Sequence, residues 1–279
     1  MWNIRSIIID QFVEQLRSAY QQTYNMLEPQ YVNVIEWTGR LALENISNTD
    51  SLYHNVDHTI MVTLVGQSIL KGKHLLEGGV TPKAWMHFTM ALLFHDIGYV
   101  RGVCQRDKPG EYATGKDNQT VKISSDYTDA ALAPYHVDRS KLFVKERFSK
   151  NLLVDFLNVE AINEAIEMTR FPIPDDPSYQ ATVSMPALAR AADFIGQIGD
   201  PDFLRKQPAL YYEFQESDTP MKDEYLNPGH LRHNFTEFYW GVVVPYIPEA
   251  LRYLQVTQIG RQWIANLYAH VYKVEHDHI

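Results

Sequence analysis

The stretch TPKAWMHFTMALLFHDIGY, residues 81–99, decides how the rest of this chain is interpreted. Thr81 offers an N-cap hydroxyl and Pro82 suits the first helical position. Apolar residues then recur to about residue 95, so the stretch predicts a buried helix. This helix ends in an adjacent His95 and Asp96. Because a buried carboxylate is costly without a partner, the pair indicates a divalent-cation site, with an aspartate that caps the next helix as the alternative.

Two other parts of the sequence carry the same residue types. His54 and His58 are spaced i,i+4 and would project from one face of a helix. Asp193 lies among small and apolar residues in ALARAADFI, residues 187–195, where a lone carboxylate should be paired or metal-bound. Each has an ordinary alternative when taken singly: two partly exposed histidines, or a buried aspartate bonded to Arg190 or to a backbone amide.

The remaining segments are mostly of helical type. Helical spacing is found over residues 10–44 with a break at Pro29, over 52–70 with a stop at 71–73, from about 127, over 152–168, over 185–198 and over 230–274. A connection rich in proline and aspartate follows Asp200. Residues 101–129 are polar and indicate a long loop, with room for a short hairpin, of a kind that is usually functional or mobile.

These patterns predict an all-α protein with one domain over residues 1–279. Its core would cover about 50–200, with a polar insertion at about 101–129 and a helical C-terminal extension at about 230–274. We expect the aromatic residues of 235–240 to lie in the core; if they bordered a pocket, a nucleobase would be their natural ligand.

Composition and charge narrow the class of function. The chain has 279 residues, of which 45% are hydrophobic, and a net charge of −9. An acidic surface argues against a nucleic-acid partner, but not against small phosphates, since a bound metal can reverse the local field. The single cysteine, Cys104, excludes an intramolecular disulfide and fits a reducing compartment. No apolar stretch reaches the length of a membrane helix, so we expect a cytoplasmic protein without a membrane partner.

In their order along the chain, His58, the pair His95 and Asp96, and Asp193 resemble the metal ligands of the HD superfamily of helical phosphohydrolases. The segment HTIMV, which begins at His58, is similar to that family's first motif. The segment YHNVDH, residues 53–58, also resembles the signature of the cyclic-nucleotide phosphodiesterases. The resemblance covers about residues 50–200.

The resemblance implies an HD-domain bundle that holds one divalent metal ion (Mn, Fe, Co, Ni, Zn or Mg) through His58, His95, Asp96 and Asp193. It also implies that His54, at the position of the phosphodiesterase general acid, protonates the leaving oxygen.

Other residues are candidates for supporting roles. Asn55 is a candidate for a residue that supports the ligands through hydrogen bonds. Arg101, Arg170 and Arg190 are candidates for binding phosphate, because an arginine fork suits it, and each has a salt bridge as its ordinary alternative. Tyr99 joins them as a candidate substrate-binding residue.

The leading expectation is a metal-dependent phosphohydrolase, either a phosphodiesterase or a phosphomonoesterase, acting on a small phosphorylated substrate such as a nucleotide. Tyr99 stands where the phosphodiesterases carry a further histidine, so the sequence does not predict a tightly held second metal. One alternative is a non-catalytic HD-fold protein that senses a nucleotide or a metal. Another is an HD-type oxygenase, which would need additional histidine ligands.

Overall fold

The computed structural model describes residues 4–149, 157–217 and 221–276. Most of this part of the chain is helical and its sheet has two short strands, which confirms the all-α prediction. The elements are α1 (Ile4–Tyr24), α2 (Pro29–Ile46), α3 (Val56–Glu77), α4 (Pro82–Phe94), β1 (Glu111–Ala113), β2 (Thr120–Lys122), α5 (His136–Phe148), α6 (Val159–Glu167), α7 (Met185–Ile198), α8 (Phe203–Glu216), α9 (Met221–Glu224), α10 (Pro228–His233), α11 (Phe235–Phe238), α12 (Pro248–Leu254) and α13 (Gln258–His276).

Helix α4 forms where its sequence predicts it. The Thr81 hydroxyl accepts a hydrogen bond from the Ala84 N–H at 3.1 Å, and Pro82 occupies the first turn. Burial is continuous over residues 85–100, as expected for a helix that is apolar on every face. The helix ends before His95, so the His95–Asp96 pair lies at the buried end of α4.

Helix α3 differs from the prediction at both ends. It begins at Val56, so His54 precedes the helix and the predicted helical pair with His58 is wrong in that detail. It also continues past residues 71–73 to Glu77. Gly72 therefore lies inside α3 and does not end it. Its role is in packing: a Cβ at this position would be 1.9 Å from the Tyr253 carbonyl oxygen, so only glycine allows α12 to approach this closely.

Helices α3 and α7 make the most extensive interhelical packing in the described part of the chain. Gly196 of α7 allows this approach, since a Cβ there would lie 2.7 Å from the Val62 Cα. The C-terminal helices α12 and α13 both pack on α3 and α7. The region predicted as a C-terminal extension therefore supports the two helices that carry His58 and Asp193.

The polar insertion contains the short hairpin for which the sequence had room, with β1 and β2 paired antiparallel. It is held by Arg139, which is fully buried and donates to the Gly98 carbonyl at 2.6 Å, to the Ala113 carbonyl at 2.6 Å and to Asp107 at 2.9 Å. These buried contacts attach the insertion to α5 at Asp107 and Ala113.

Two further boundaries differ from the prediction. The helix expected from about residue 127 begins at His136, after a 3₁₀ turn at Asp129–Leu132. Residues 203–216 form helix α8 where a connection was expected, and Pro208 lies inside it. The buried residues of α8 stabilise it by packing, which offsets the hydrogen bond lost at the proline. Of the segment predicted as helical over 152–168, residues 152–156 lie outside the described residues. None of the described helices is both long enough and apolar enough to cross a membrane.

Candidate metal centre

The structure brings all four predicted metal ligands together. The Nε2 atom of His58 lies 3.2 Å from Asp96 Oδ2 and 3.2 Å from Asp193 Oδ1. The Nε2 atom of His95 lies 3.0 Å from Asp96 Oδ2 and 3.6 Å from Asp193 Oδ1, and the two Nε2 atoms are 3.4 Å apart. We call these four residues the ligand cluster. Three helical regions that are distant in sequence supply it: the start of α3, the end of α4 and the middle of α7.

These distances fit a shared cation. Nitrogen and oxygen ligands lie about 2.0–2.2 Å from a divalent metal, which puts neighbouring ligand atoms about 3.0–3.4 Å apart. The Nδ1 atom of His95 lies 2.7 Å from the Leu92 carbonyl oxygen, so it carries a proton and leaves Nε2 as a lone pair that faces the carboxylates. Asp96 Oδ2 is buried and has no hydrogen-bond partner. A bound cation would accept the lone pairs of the imidazole Nε2 atoms and of the carboxylate oxygens, which point towards one another.

The charges of the ligand cluster point to the same conclusion. In the metal-free protein, burial disfavours the charged imidazolium, yet Asp96 and Asp193 raise the pKa of His95 well above its usual range. Burial likewise opposes the charge on Asp96, but His95 and His58 hold its pKa well below its usual range. Protons thus occupy the position that suits a metal ion, so metal binding should release protons.

Asn55 immediately precedes α3, the helix that contains His58. Its side-chain oxygen accepts from the Asp57 N–H at 3.0 Å, and its amide donates to the Leu52 carbonyl at 2.9 Å. Asn55 is therefore the N-cap of α3 and holds the first turn, where His58 lies. It was predicted to support the ligands through hydrogen bonds, whereas its observed partners are backbone groups.

His54 lies beside the ligand cluster and is held by Glu213. The Glu213 carboxylate is 2.5 Å from His54 Nδ1 and also accepts from the backbone N–H groups of Tyr53 and His54, at 2.6 Å and 3.2 Å. Burial lowers the pKa of His54, but Glu213 outweighs this effect and, with Asp96, raises that pKa to about 9. A ring nitrogen of His54 also lies within 4.8 Å of ligand atoms of His58 and Asp96. His54 is thus poised either to donate a proton or to bind a metal.

Tyr99 is stacked between two histidines. Its ring centroid is 4.5 Å from that of His54 and 4.5 Å from that of His136, with interplanar angles of 12° and 19°. His136 Nε2 is 3.8 Å from Asp96 Oδ1, so this stack places a further histidine beside the ligand cluster. All three residues line the same cleft. Stacking on Tyr99 restrains the orientation of both imidazole rings.

The sequence pointed to neither Glu213 nor His136 as a site residue. Glu213 belongs to a helix that was not predicted, and no local pattern distinguishes it from the other glutamates of the chain. His136 carried a weak signal, because it is the single histidine between His95 and Asp193.

The three candidate arginines have different surroundings. Arg101 is not among the residues that line the cleft; it donates to the Thr128 carbonyl at 2.7 Å and pairs with Asp129 at 3.1 Å, which is the salt bridge expected as its ordinary alternative. Its position after the His-Asp pair suggested proximity, but the chain turns away there into the insertion. Arg170 lines the cleft, yet it is already paired with Asp138 at 2.9 Å and with Glu167.

Arg190 is the cation whose surroundings best suit an anionic ligand. It is 2% exposed, lines the cleft, and donates to the carbonyls of Tyr179 and Ala181, both at 2.7 Å. Its Nε atom has no hydrogen-bond partner, and it makes no ion pair with a carboxylate of the described residues. Burial lowers the pKa of its guanidinium. The guanidinium also lies over the Tyr246 ring, 3.9 Å from its centroid. A buried cation without a carboxylate partner, one helical turn from Asp193, would be stabilised further by an anion in the cleft.

The cleft itself lies over the ligand cluster and is lined by one face of each of three helical segments. The empty space of the cleft is about 1230 Å³, and this volume includes the part that is open to solvent. The residues that face the cleft recur at helical spacing: Arg190, Asp193, Phe194 and Gln197 on α7; Phe203, Gln207, Leu210, Glu213 and Phe214 on α8, with Ser217 directly after it; Leu231, Phe235 and Phe238 on α10 and α11. Phe235 belongs to the hydrophobic core, as expected, and Phe238 packs against that core; both also border the pocket.

The chain was also compared with known proteins. No curated protein matches it significantly. One sequence family matches, over residues 2–277, and its description is Npun_R2479-like. Because that match covers almost the whole chain, this protein belongs to the Npun_R2479-like family.

Proposed function

We propose that this protein is a metal-dependent phosphohydrolase that cleaves a phosphate ester of a small molecule, such as a nucleotide. The observation that carries the proposal is the convergence of two imidazoles and two carboxylates, with 3.0–3.6 Å between the measured pairs of ligand atoms, next to a cleft. The order of these ligands along the chain resembles that of the HD phosphohydrolases, and kinship with that superfamily is part of the proposal.

The ligand cluster would hold one divalent ion of the group Mn, Fe, Co, Ni, Zn and Mg. Such an ion supplies an activated water at neutral pH and polarises a phosphoryl oxygen. Two histidines and two carboxylates leave coordination positions for water and for substrate. The carboxylates of Asp96 and Asp193 offset the charge of the ion, so a phosphoryl group needs another cation, and Arg190 supplies it from the same face of α7.

His54 would protonate the leaving oxygen. Its Nδ1–H donates to Glu213, so the proton on Nε2 is the one available for transfer. The backbone bonds from Tyr53 and His54 to Glu213 fix this carboxylate, and the stacked ring of Tyr99 restrains rotation of the imidazole. In the metal-free protein, burial opposes the charge, but Glu213 and Asp96 raise the pKa of His54 to about 9, which favours the protonated form that a general acid needs.

Two other functions are consistent with an intact ligand cluster. A sensor protein would bind the same ligand without cleaving it. An oxygenase would need further histidine ligands for a second metal; His136 is the candidate, because its Nε2 lies 3.8 Å from Asp96 Oδ1. A metal content of two ions in the wild type and one in His136→Ala would favour that chemistry. We further propose a cytoplasmic location, without a nucleic-acid partner.

The test is reconstitution. The protein is stripped with a chelator, reloaded separately with each of the six metals, and assayed on bis-p-nitrophenyl phosphate and on p-nitrophenyl phosphate. We expect metal-dependent cleavage of at least one of these esters, and none by Asp193→Asn. Asp200→Asn, a buried aspartate paired with Lys206 at 2.6 Å, is the matched control and should remain active. Metal binding without cleavage of any phosphate ester would refute the hydrolase and leave the sensor.

A further inference from the structure

The cleft is much more apolar than a site for a phosphoryl group alone requires. Six phenylalanines and two leucines line it together with the metal ligands. Three of these rings contact one another edge to face: Phe171 and Phe238 are 5.9 Å apart, Phe171 and Phe194 are 6.5 Å apart, and Phe194 and Phe238 are 6.3 Å apart. We call these three residues the aromatic wall. Phe194 follows Asp193 directly, so the wall adjoins the ligand cluster.

The aromatic wall presents accessible surface to the cleft. Phe171 and Phe238 are only partly buried, although both are packed against the hydrophobic core. Leaving phenylalanine rings exposed in a concave site costs free energy that an apolar ligand recovers. Ordinary surface exposure of single apolar residues would not place several rings together beside a buried cation.

The hydrogen-bonding groups beside this wall are few. Thr169 and Ser217 line the cleft, but their hydroxyls already donate to backbone carbonyls, at 2.8 Å and 3.0 Å. The other uncharged hydrogen-bonding side chains among the described lining residues are those of Gln197, Gln207, Tyr99, Tyr225 and His136. Of these, only Gln197 is close in sequence to a ring of the wall. A ligand with many hydroxyl groups would leave most of them unpaired against phenylalanine and leucine, which is unfavourable.

The charges set a limit on the phosphate. Asp96, Asp193 and Glu213 place three negative charges on the lining, of which a divalent ion offsets two. Arg170 is already paired with two carboxylates. Since Glu213 is already paired with His54 at 2.5 Å, Arg190 remains for one phosphoryl group, and no other lysine or arginine of the described lining residues is left for a second or third.

We propose that the substrate is an ester with a single phosphoryl group and a mainly apolar body, aryl or alkyl, which packs on the aromatic wall while its phosphate binds between the ligand cluster and Arg190. This inference rests on the proposed function and adds the substrate class. It disfavours sugar phosphates, because of their hydroxyls, and nucleoside triphosphates, because of their charge.

Calorimetry with non-hydrolysable phosphonates tests this without any turnover. Dissociation constants are measured on the metal-loaded protein for methylphosphonate, phenylphosphonate and 1-naphthylmethylphosphonate, and for adenosine mono- and triphosphate. We expect the naphthyl compound to bind about a hundredfold more tightly than methylphosphonate, because its rings leave water. The triphosphate should bind more weakly than the monophosphate.

Variants show whether the wall is responsible. Phe238→Ala should weaken the naphthyl compound by about tenfold and leave methylphosphonate unchanged. Trp37→Ala is the matched control: this partly exposed ring also makes an edge-to-face contact, with Phe148 at 5.8 Å, but lies outside the cleft. If Phe238→Ala does not fold, Phe238→Leu keeps an apolar side chain and should show a smaller loss in the same direction.

The outcomes separate the two proposals. Equal affinity for methylphosphonate and the naphthyl compound, or tightest binding of either adenosine phosphate, overturns the substrate class and leaves the phosphohydrolase in place. If no phosphonate binds and no phosphate ester is cleaved, the proposed function itself fails.

Discussion

Two groups of charged residues are buried in this protein, and they differ in how their hydrogen-bonding atoms are paired. One is the ligand cluster. The other, here called the anchor pair, consists of Arg139 and Asp107, whose side chains are 0% and 1% exposed. In the anchor pair, each guanidinium donor meets a carboxylate or a carbonyl oxygen. In the ligand cluster, the imidazole Nε2 atoms and the carboxylate oxygens lie 3.0–3.6 Å apart around one point, which a proton or a metal ion can occupy.

This difference in hydrogen bonding distinguishes a group that stabilises the fold from a group that is suited to bind a ligand. A buried charge with complete hydrogen bonding stabilises the fold when its partner is present and needs nothing else. The ligand cluster, in contrast, gathers two carboxylates and two imidazoles around one point, where either protons or a divalent cation must supply the positive charge. Substitutions should therefore affect the two groups in different ways.

The largest effect is expected at the ligand cluster. Asp96→Asn keeps the shape of the side chain and removes its charge. Metal content should fall below about a tenth of the wild-type value, since changes even outside the coordinating atoms cost 10–100-fold in affinity. Any metal-dependent activity should disappear with it.

The same variant should fold normally. In the presence of a chelator, its unfolding midpoint at neutral pH should fall below that of the wild type, because His95 and His58 stabilise the ionised carboxylate and the amide lacks that charge. Asp129→Asn, a buried aspartate paired with Arg101, serves as control and should retain its metal. Undiminished metal in Asp96→Asn, by elemental analysis, would remove the basis for the metal site.

The anchor pair should respond through stability. Asp107→Ala leaves a fully buried guanidinium without its carboxylate, which typically costs about 3–5 kcal/mol of unfolding free energy. Urea unfolding measures this loss, and the fraction that remains folded should bind metal normally. Asp10→Ala, at an exposed aspartate paired with Arg40, should change little. A stable Asp107→Ala variant that had lost its metal would reverse the distinction between the two groups.

An intermediate effect is expected at His54, which touches the ligand cluster but is held by Glu213. His54→Ala should keep the metal and slow hydrolysis about a hundredfold, with a smaller loss for nitrophenyl esters because their leaving groups scarcely need a proton. Glu213→Gln should have the same dependence on leaving group at smaller magnitude. His270→Ala, whose ring bonds to the Ile198 carbonyl away from the cleft, is the control.

Two results would contradict this role. Joint loss of metal and activity, whatever the leaving group, would make His54 a ligand. Unchanged turnover of an ester with a poor leaving group would show that His54 takes no part.

The smallest effect concerns a second fully paired group, at Glu167. Burial raises the pKa of this carboxyl, but Arg170, Lys141 and Tyr179 outweigh it and hold the pKa at about 2, below the model-compound value of 4.5. Because the folded-state pKa is lowered, the stabilisation is present above about pH 4.5 and is lost as the pH falls towards 2.

Glu167→Gln should therefore lose roughly 1–2 kcal/mol of stability at pH 7, after allowance for partial exposure of the carboxylate. Its stability should also depend less on pH than that of the wild type between pH 4.5 and 2. Parallel stability curves for the two proteins across this window would show that the ionised carboxylate contributes nothing.

Much of the fold and the convergence of the four residues of the ligand cluster could be predicted from the sequence, because their signals are local. Thr81 and Pro82 begin α4 through contacts within one turn, and apolar periodicity marks the helix. His58, His95, Asp96 and Asp193 stand out because each is a polar residue in an apolar surrounding, and their order resembles a known set. The hairpin in the insertion and the helical C-terminal third likewise followed from turn residues and periodicity.

Other features could not be predicted, because they depend on contacts between distant parts of the chain. Gly72 resembles a helix end, and only the approach of Tyr253 makes it an interior residue of α3. The interior proline of α8 indicates a break, and only packing keeps the helix. Residues 101–129 are polar, as is typical of a mobile loop, and only the structure shows that Arg139 binds this insertion at Asp107 and Ala113.

The sequence alone thus determined the helical class and the chemical types that gather at the site, since secondary structure and the cost of burying charge depend on near neighbours. The tertiary structure decided which polar group meets which. Glu213 is 159 residues from His54, and Arg190, not Arg101, faces the cleft. Hydrogen bonds act over about 3 Å, so their partners are chosen only once distant helices have packed.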